Sequence, residues 1–230
     1  MKLIVTGGTG FVGGQVILQA LRSPKITSVV ALSRKPVRVE AGTEGADKLS
    51  NVLVESYQSY PDDVKKALAG ADALIWTVGV TPTELAKGMS FEEARRVCQD
   101  DTIAGLGAIH DAGTAETFRI VYMSGINGER DQTTTPPALP EYSLMRGAAE
   151  NMVLEYVADK TGWTATVAKP AIILAPWKPV ENPEIVKFLG SVEVSELVAA
   201  MLHQVINGIE KDPLMNDELA AIGKKVLAEA

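Results

Sequence analysis

An α/β fold with a doubly wound parallel sheet and helices on both faces is what this sequence predicts, and three observations predict it. Short apolar, β-branched runs alternate along the chain with stretches of helical periodicity. The first run, Leu3-Ile4-Val5, leads into Gly7-Gly8-Thr9-Gly10-Phe11-Val12-Gly13-Gly14 and then into a helical pattern. The chain has 230 residues, 46% hydrophobic and 22% charged, which suffices for one large core and is short for two. One domain over residues 1–230 follows, with about 171–230 contributing a small C-terminal cap.

Taken in order, the first helix starts near Phe11. Val12, Val16, Ile17, Ala20 and Leu21 recur at helical spacing until Pro24 stops it. Ser28 to Leu32 reads as the second strand and 37–50 as a polar loop. Val52 to Val54 reads as the third strand, Pro61 to Leu68 as a short helix, and Ala73 to Val78 as the fourth strand, ending at Gly79. Ser90, with Glu93 three residues on, caps a helix running to about Asp111, whose Gly105 and Gly107 suggest close approach to a neighbour. Phe118 to Met123 is a fifth strand, Gly128 to Pro140 a long loop, and Tyr142 to Ala158 a helix. Thr164 to Ala168 is a sixth strand and Ser195 to Ile206 a late helix.

Gly8, Gly10 and Gly13 fit G-x-G-x-x-G, and Gly7 adds the variant G-x-x-G-x-x-G. Between a strand and a helix this spacing has a mechanism. One glycine permits the tight turn, one lets backbone N–H groups approach a pyrophosphate, and Gly13 lets the helix pack close to the strand. The phosphates then lie on the positive end of the helix dipole. The backbone of Gly7, Thr9, Gly10, Phe11, Val12 and Gly13 is therefore the expected dinucleotide cradle. About 20 positions on, where an acid would bond a ribose 2′-hydroxyl, stand Ser33, Arg34 and Lys35. A guanidinium there accepts a 2′-phosphate through two N–H groups, so the expected cofactor is NADP in preference to NAD.

The bulk properties exclude other classes. The net charge is −7 with no long basic cluster, which argues against nucleic acid and anionic membrane as partners. Cys98 is the single cysteine, so no internal disulfide forms, and neither His110 nor His203 has metal-ligand spacing. The chain enters its first strand at once and holds no run of about 18 apolar residues, so we expect a cytoplasmic protein without membrane insertion. Cys98 reads as a small core residue because no histidine is placed to activate it. His110 reads as a helix-dipole partner, and Asp100 with Asp101 as a solvated edge pointing to different helix faces.

At the end of the fifth strand Val121-Tyr-Met-Ser-Gly-Ile-Asn127 puts Ser124 at the C-terminal sheet edge, and Tyr142 and Arg146 follow at i and i+4 on one helix face. Together with Thr6 to Gly13, the Ser33-Arg34 turn, Ala71-Asp72-Ala73, Gly147-x-x-Glu150 and Lys169-Pro170, these residues resemble the short-chain dehydrogenase/reductase superfamily. The likeness is to its atypical or extended branch, near the small Tat-interacting-protein-like reductases and more distantly the NmrA-like proteins.

The resemblance implies a Rossmann-type fold and transfer of a proton and a hydride: NADPH supplies the hydride, Tyr142 the proton, and Ser124 holds the substrate oxygen. It implies that Thr77, Val78 and Gly79 pass beside the cofactor ribose, that the Lys169-Pro170 step borders the cofactor, and that Trp177 lines the substrate pocket. The helices near 90–111 and 142–158 are the superfamily's usual homodimer faces. Two positions depart from the pattern. Arg146 stands where the family has lysine; it can bond ribose hydroxyls and favour a tyrosinate, but it cannot pass a proton along. Tyr57 replaces an aspartate that bonds the adenine amine, and is expected either to stack on the base or to line the surface. The leading expectation is an NADP-dependent reductase of a small carbonyl or enone compound. The alternatives are a non-redox isomerase, dehydratase or cyclase, and a non-catalytic NADP-binding regulator.

Overall fold

The computed structural model describes residues 1–180 and 182–229, so the expected cap is described except for its positions 181 and 230. Seven strands form one sheet in the order β3-β2-β1-β4-β5-β6-β9, with every pairing parallel. They are β1 (Lys2–Thr6), β2 (Ser28–Ser33), β3 (Leu49–Leu53), β4 (Ala71–Trp76), β5 (Thr114–Met123), β6 (Trp163–Lys169) and β9 (Leu214–Met215). Strand order reverses between β1 and β4, the place where open α/β sheets bind ligands at their carboxyl ends.

Alternation along β1 divides the core in two. Leu3 and Val5 face α1 (Phe11–Arg22), α8 (Val194–Asn207) and α9 (Asn216–Ala228). Ile4, in register with Val30 and Leu74, faces α2 (Asp62–Leu68), α5 (Asp101–Ala112) and α6 (Pro140–Ala158). The strands are apolar on both faces because both faces are covered. Each fully buried Leu, Ile or Val contributes about 1.5–3 kcal/mol.

Several boundaries move for local reasons. The fourth strand occupies Ala71–Trp76 rather than 73–78, since Trp76 Nε1 donates to the Val78 carbonyl at 3.1 Å and Thr77 turns to bond Thr6. Residues 37–50, expected as loop throughout, contain a 3₁₀ turn over Ala46–Lys48 and the start of β3. Ser90 caps its helix by accepting the Glu93 N–H at 3.1 Å. That helix is α4 (Phe91–Arg95), a π turn (Arg96–Asp100) and α5 in succession. Gly105 is the close approach expected, since a Cβ there would strike the Trp76 ring, whereas Gly107 has nothing nearer than 3.8 Å.

Elements without a sequence expectation are α3 (Pro82–Ala86), closed by a Thr81–Glu84 capping box, α7 (Pro183–Leu189), α9 and β9, and a two-stranded sheet of β7 (Ile172–Leu174) with β8 (Ser191–Glu193). Strands of two or three residues carry no periodicity to detect. Among the described residues no helix is long and apolar enough to cross a membrane, and no group of three His, Cys, Asp or Glu side chains is placed to hold a metal.

Candidate cofactor and active site

β1 ends at Thr6, and the chain turns through Gly7 at φ +69°, a left-handed conformation that glycine alone adopts without strain. A Cβ on Gly13 would collide with the Gly7 carbonyl, so the first turn of α1 lies directly against the loop. No side chain caps α1 and no acid occupies its first turn, so its first N–H groups and positive dipole end are left to a ligand. Thr9 and Gly10 are exposed, whereas Val12 is buried and presents only backbone. A cavity of about 530 Å³ opens here, lined by the Gly8–Phe11 loop, Val37, Arg38, Thr43 and Trp177. A backbone cradle on an uncapped helix fits a dinucleotide pyrophosphate.

At the end of β2 the three polar residues part company. Ser33 is buried, and its hydroxyl donates to the Lys35 carbonyl at 2.6 Å, so it closes the turn instead of presenting a group to a ribose. Arg34 and Lys35 are exposed, as is Arg38, a third cation four residues after Arg34. Asn51 holds the segment by pairing with both the N–H and the carbonyl of Val37 at 2.7 and 3.1 Å. Tyr57 does not line the surface. It is buried, donates to the Leu32 carbonyl at 3.1 Å and packs on Trp76, and burial raises its pKa.

β4 and β5 supply the other half. Thr77 Oγ1 donates to the Thr6 carbonyl at 2.7 Å, which ties Thr77, Val78 and Gly79 to the strand that carries the glycine loop. Tyr142, in the first turn of α6, donates its phenol proton to the Val80 carbonyl at 3.0 Å. Burial raises the phenol's pKa, with the Arg146 charge as the main opposing influence. Arg146, 4% exposed, lies one turn deeper. Its Nη2 donates to the Met123 carbonyl at 3.0 Å, its Nη1 to the Cys98 sulfur at 3.1 Å, and its guanidinium lies 5.6 Å from the Tyr122 ring centre. It also lies against Gly79, where an added Cβ would be 2.8 Å from Nη1.

Ser124 follows Met123, its N–H bonded to the Ala168 carbonyl at 2.9 Å. Its hydroxyl donates to Glu150 Oε1 at 2.6 Å, and a carboxylate only accepts, so the serine's one proton is committed there. Glu150 is fully buried, and its other oxygen receives Arg130 Nε at 2.7 Å and Lys169 Nζ at 3.0 Å. Arg130 reaches on to Asp212 at 2.7 Å. The Lys169 ammonium is therefore engaged inside the protein, and the Pro170 carbonyl accepts the Ile126 N–H at 2.9 Å.

Tyr142, Arg146, Ser124 and Thr77 to Gly79 lie around the carboxyl ends of β4 and β5, the glycine loop follows the neighbouring β1, and Arg34 follows β2 on the other side of β1. Two further sequence expectations change here. Trp177 is 61% exposed and lines the glycine-loop cavity, where Lys178 lies over the Phe11 ring. Asp101 is buried against Arg96 at 3.2 Å and Gln58 at 2.9 Å, so of the acidic pair only Asp100 is an edge residue. Sequence reasoning missed Arg38, whose spacing from Arg34 was the available signal. It missed Arg130 and Asp212 as well, 82 residues apart and without one.

The family model described as NAD(P)H-binding matches residues 7–187. Protein FMP52, mitochondrial, from Debaryomyces hansenii is 22% identical over 233 residues, covering 87% of this chain and all of that protein. Among solved structures, MoeE5 with UDP-glucuronic acid and NAD superposes at a TM-score of 0.69 with 17% identity, over 99% of this chain and 83% of that one. Gre2 from Candida albicans with NADPH gives 0.67 and 14%, over 94% and 78%. Structures of this fold include reductases, epimerases and dehydratases, and their bound cofactors include both NAD and NADPH. The chain belongs to the NAD(P)H-binding family, whose model spans more than half of it.

Proposed function

We propose that the protein is an NADP-dependent reductase of a small, partly apolar carbonyl or enone compound. The observation that carries this reading is the Tyr142 phenol, kept protonated by burial at the cleft and standing one helical turn from the buried charge of Arg146. A protonated phenol is the acid a carbonyl oxygen needs as it gains negative charge, and the guanidinium stabilises the tyrosinate left behind. Bound NADPH supplies the hydride. The residues to hold it are the backbone of Gly7, Thr9, Gly10, Phe11, Val12 and Gly13 at the pyrophosphate, and Arg34 with Lys35 and Arg38 at the 2′-phosphate. Thr77, Val78 and Gly79 would hold the ribose, with the Lys169-Pro170 backbone bordering the cofactor. Ser124, its proton held by Glu150, keeps lone pairs for a donor on the substrate or product.

The test is NADPH oxidation against a panel of aldehydes, ketones and enones. Tyr142→Phe is expected to lower kcat by about 10²–10⁴-fold while leaving the NADPH dissociation constant nearly unchanged. Product formation without net NADPH oxidation points instead to isomerase or dehydratase chemistry. One observation favours a second reading, a cofactor-binding regulator: the Tyr142 and Ser124 hydroxyls are both bonded within the protein. Tight NADP binding with no turnover across the panel selects that reading. The proposal includes a homodimer through α5 and α6, checked by light scattering.

A further inference from the structure

Cys98, expected as core filler, has a sulfur that touches both groups surrounding the tyrosine. It accepts the Val80 N–H at 3.3 Å and Arg146 Nη1 at 3.1 Å, and the Val80 carbonyl receives the Tyr142 phenol at 3.0 Å. From sulfur to phenol the path is a single residue. From sulfur to the guanidinium it is one hydrogen bond.

Local structure explains how a helical cysteine arrives there. The helix widens into a π turn over Arg96–Asp100, with the Asp101 N–H bonded to the Arg96 carbonyl. Such a turn inserts a residue and re-aims the side chains around it. The Cys98 carbonyl is held in place by Thr102 Oγ1 at 3.0 Å and by the Tyr122 hydroxyl at 3.4 Å.

Arg146 needs such an anchor. Among the described residues no carboxylate forms an ion pair with this buried guanidinium, and its Nε has no hydrogen-bond partner. Among the described residues only the Met123 carbonyl and the Cys98 sulfur accept from it. A buried cation this sparsely bonded is sensitive to the loss of either acceptor.

We propose that Cys98 is a positioning residue of the reaction site, its sulfur fixing the Arg146 guanidinium and the Val80 peptide on either side of Tyr142. This rests on reading Tyr142 as the proton donor. The charged and titratable groups facing that phenol are Arg146 on its own helix, Cys98 on the π turn, Glu84 on α3 and Tyr122 on β5, and of these only Arg146 favours the tyrosinate. Without the sulfur acceptor the guanidinium shifts, its pull on the phenol weakens, and the phenol holds its proton to a higher pH.

The experiment compares Cys98→Ala and Cys98→Ser by ultraviolet titration of Tyr142 in substrate-free protein, taken as the difference from Tyr142→Phe in each background. Turnover with NADPH is read alongside. Both variants lose the cysteine's own opposition to the tyrosinate, so Cys98→Ala is expected to hold the Tyr142 proton to higher pH than Cys98→Ser and to lower kcat about tenfold or more. Cys98→Ser restores an acceptor and recovers most of both effects. A Cys98→Ala protein with unchanged titration and turnover overturns the proposal, as does a serine variant no better than alanine. Should alanine impair folding, Arg146→Gln reads the same coupling: if Tyr142 titrates there as in wild type, the guanidinium does not act on it and the proposal fails. Wild type that never oxidises NADPH defeats the functional reading, while the titration still reports on the positioning.

Discussion

The two ends of the cleft are built by opposite means. At the glycine loop the binding groups are backbone N–H donors, the side chains at Gly7, Gly10 and Gly13 are absent, and Thr9, Arg34 and Lys35 face solvent. At the carboxyl ends of β4 and β5 the polar side chains are bonded to each other or to buried backbone: Ser124 to Glu150, Glu150 to Lys169 and Arg130, Arg146 to Cys98, Tyr142 to Val80. The loop end is preorganised by the chain path and depends little on what any side chain does. The reaction end is preorganised by coupled side chains, so one substitution there changes the surroundings of several groups.

Glu150 is where that contrast breaks most visibly. Glu150→Ala leaves Lys169 buried and Arg130 half-buried without their shared carboxylate, and strips Ser124 of its acceptor. Removing one partner of a buried ion pair costs about 3–5 kcal/mol, so we expect a loss of that size in chemical denaturation. Glu150→Gln keeps an acceptor for Ser124 and should lose less. At the loop end the comparable injury must be done to the backbone. Gly13→Ala places a methyl against the Gly7 carbonyl and should destabilise by about 1–3 kcal/mol, with NADPH binding weakened in the same protein by fluorescence titration.

The two faces of the sheet differ in parallel. All five tyrosines lie on the face covered by α2, α5 and α6, and none on the α1, α8 and α9 face. Burial raises the pKa of Tyr57, Tyr60 and Tyr142, and pushes Tyr122 up to about 12. Above the ordinary phenol value of about 10 the unfolded chain releases these protons while the folded chain keeps them. Stability is therefore whole below about pH 10 and falls as pH rises toward 12. Each such phenol adds a slope of about 1.4 kcal/mol per pH unit. Tyr122→Phe, which keeps the ring, should remove one proton from that slope in urea melts between pH 10 and 12.

The same contrast decides what the sequence could say. The glycine loop was legible because each glycine answers a local demand: Gly7 its positive φ, Gly13 its approach to the loop. The alternation of strands and helices gave the parallel sheet for a similar reason, since burial on both faces leaves continuous apolar runs such as Leu3 to Val5. Ser124, Tyr142 and Arg146 were singled out by position, and their bonding could not be read from it. Whether Ser124 faces a substrate or Glu150, and whether Cys98 fills space or holds a guanidinium, depends on a π turn and on contacts 26 and 48 residues apart. The Asp212 carboxylate under Arg130 had no signal at all, because it comes from the far side of the chain.

The smallest predicted effect concerns charged side chains that the loop end offers to the cofactor. Arg34 and Lys35 are exposed, with no carboxylate in an ion pair to either among the described residues, so a 2′-phosphate meets them without first breaking a bond. Water screens them for the same reason, which limits what each contributes. Arg34→Ala should therefore reduce the preference for NADPH over NADH by about tenfold, the size of one charge-assisted hydrogen bond. NADH binding itself should stay close to wild type, because that ligand carries no 2′-phosphate. Paired fluorescence titrations at low and high salt measure it, and salt should erase the difference between wild type and variant. Equal affinity for the two cofactors in the wild-type protein would remove Arg34 from the site. It would leave the glycine loop untouched, because the pyrophosphate is bound there by backbone and the helix end alone.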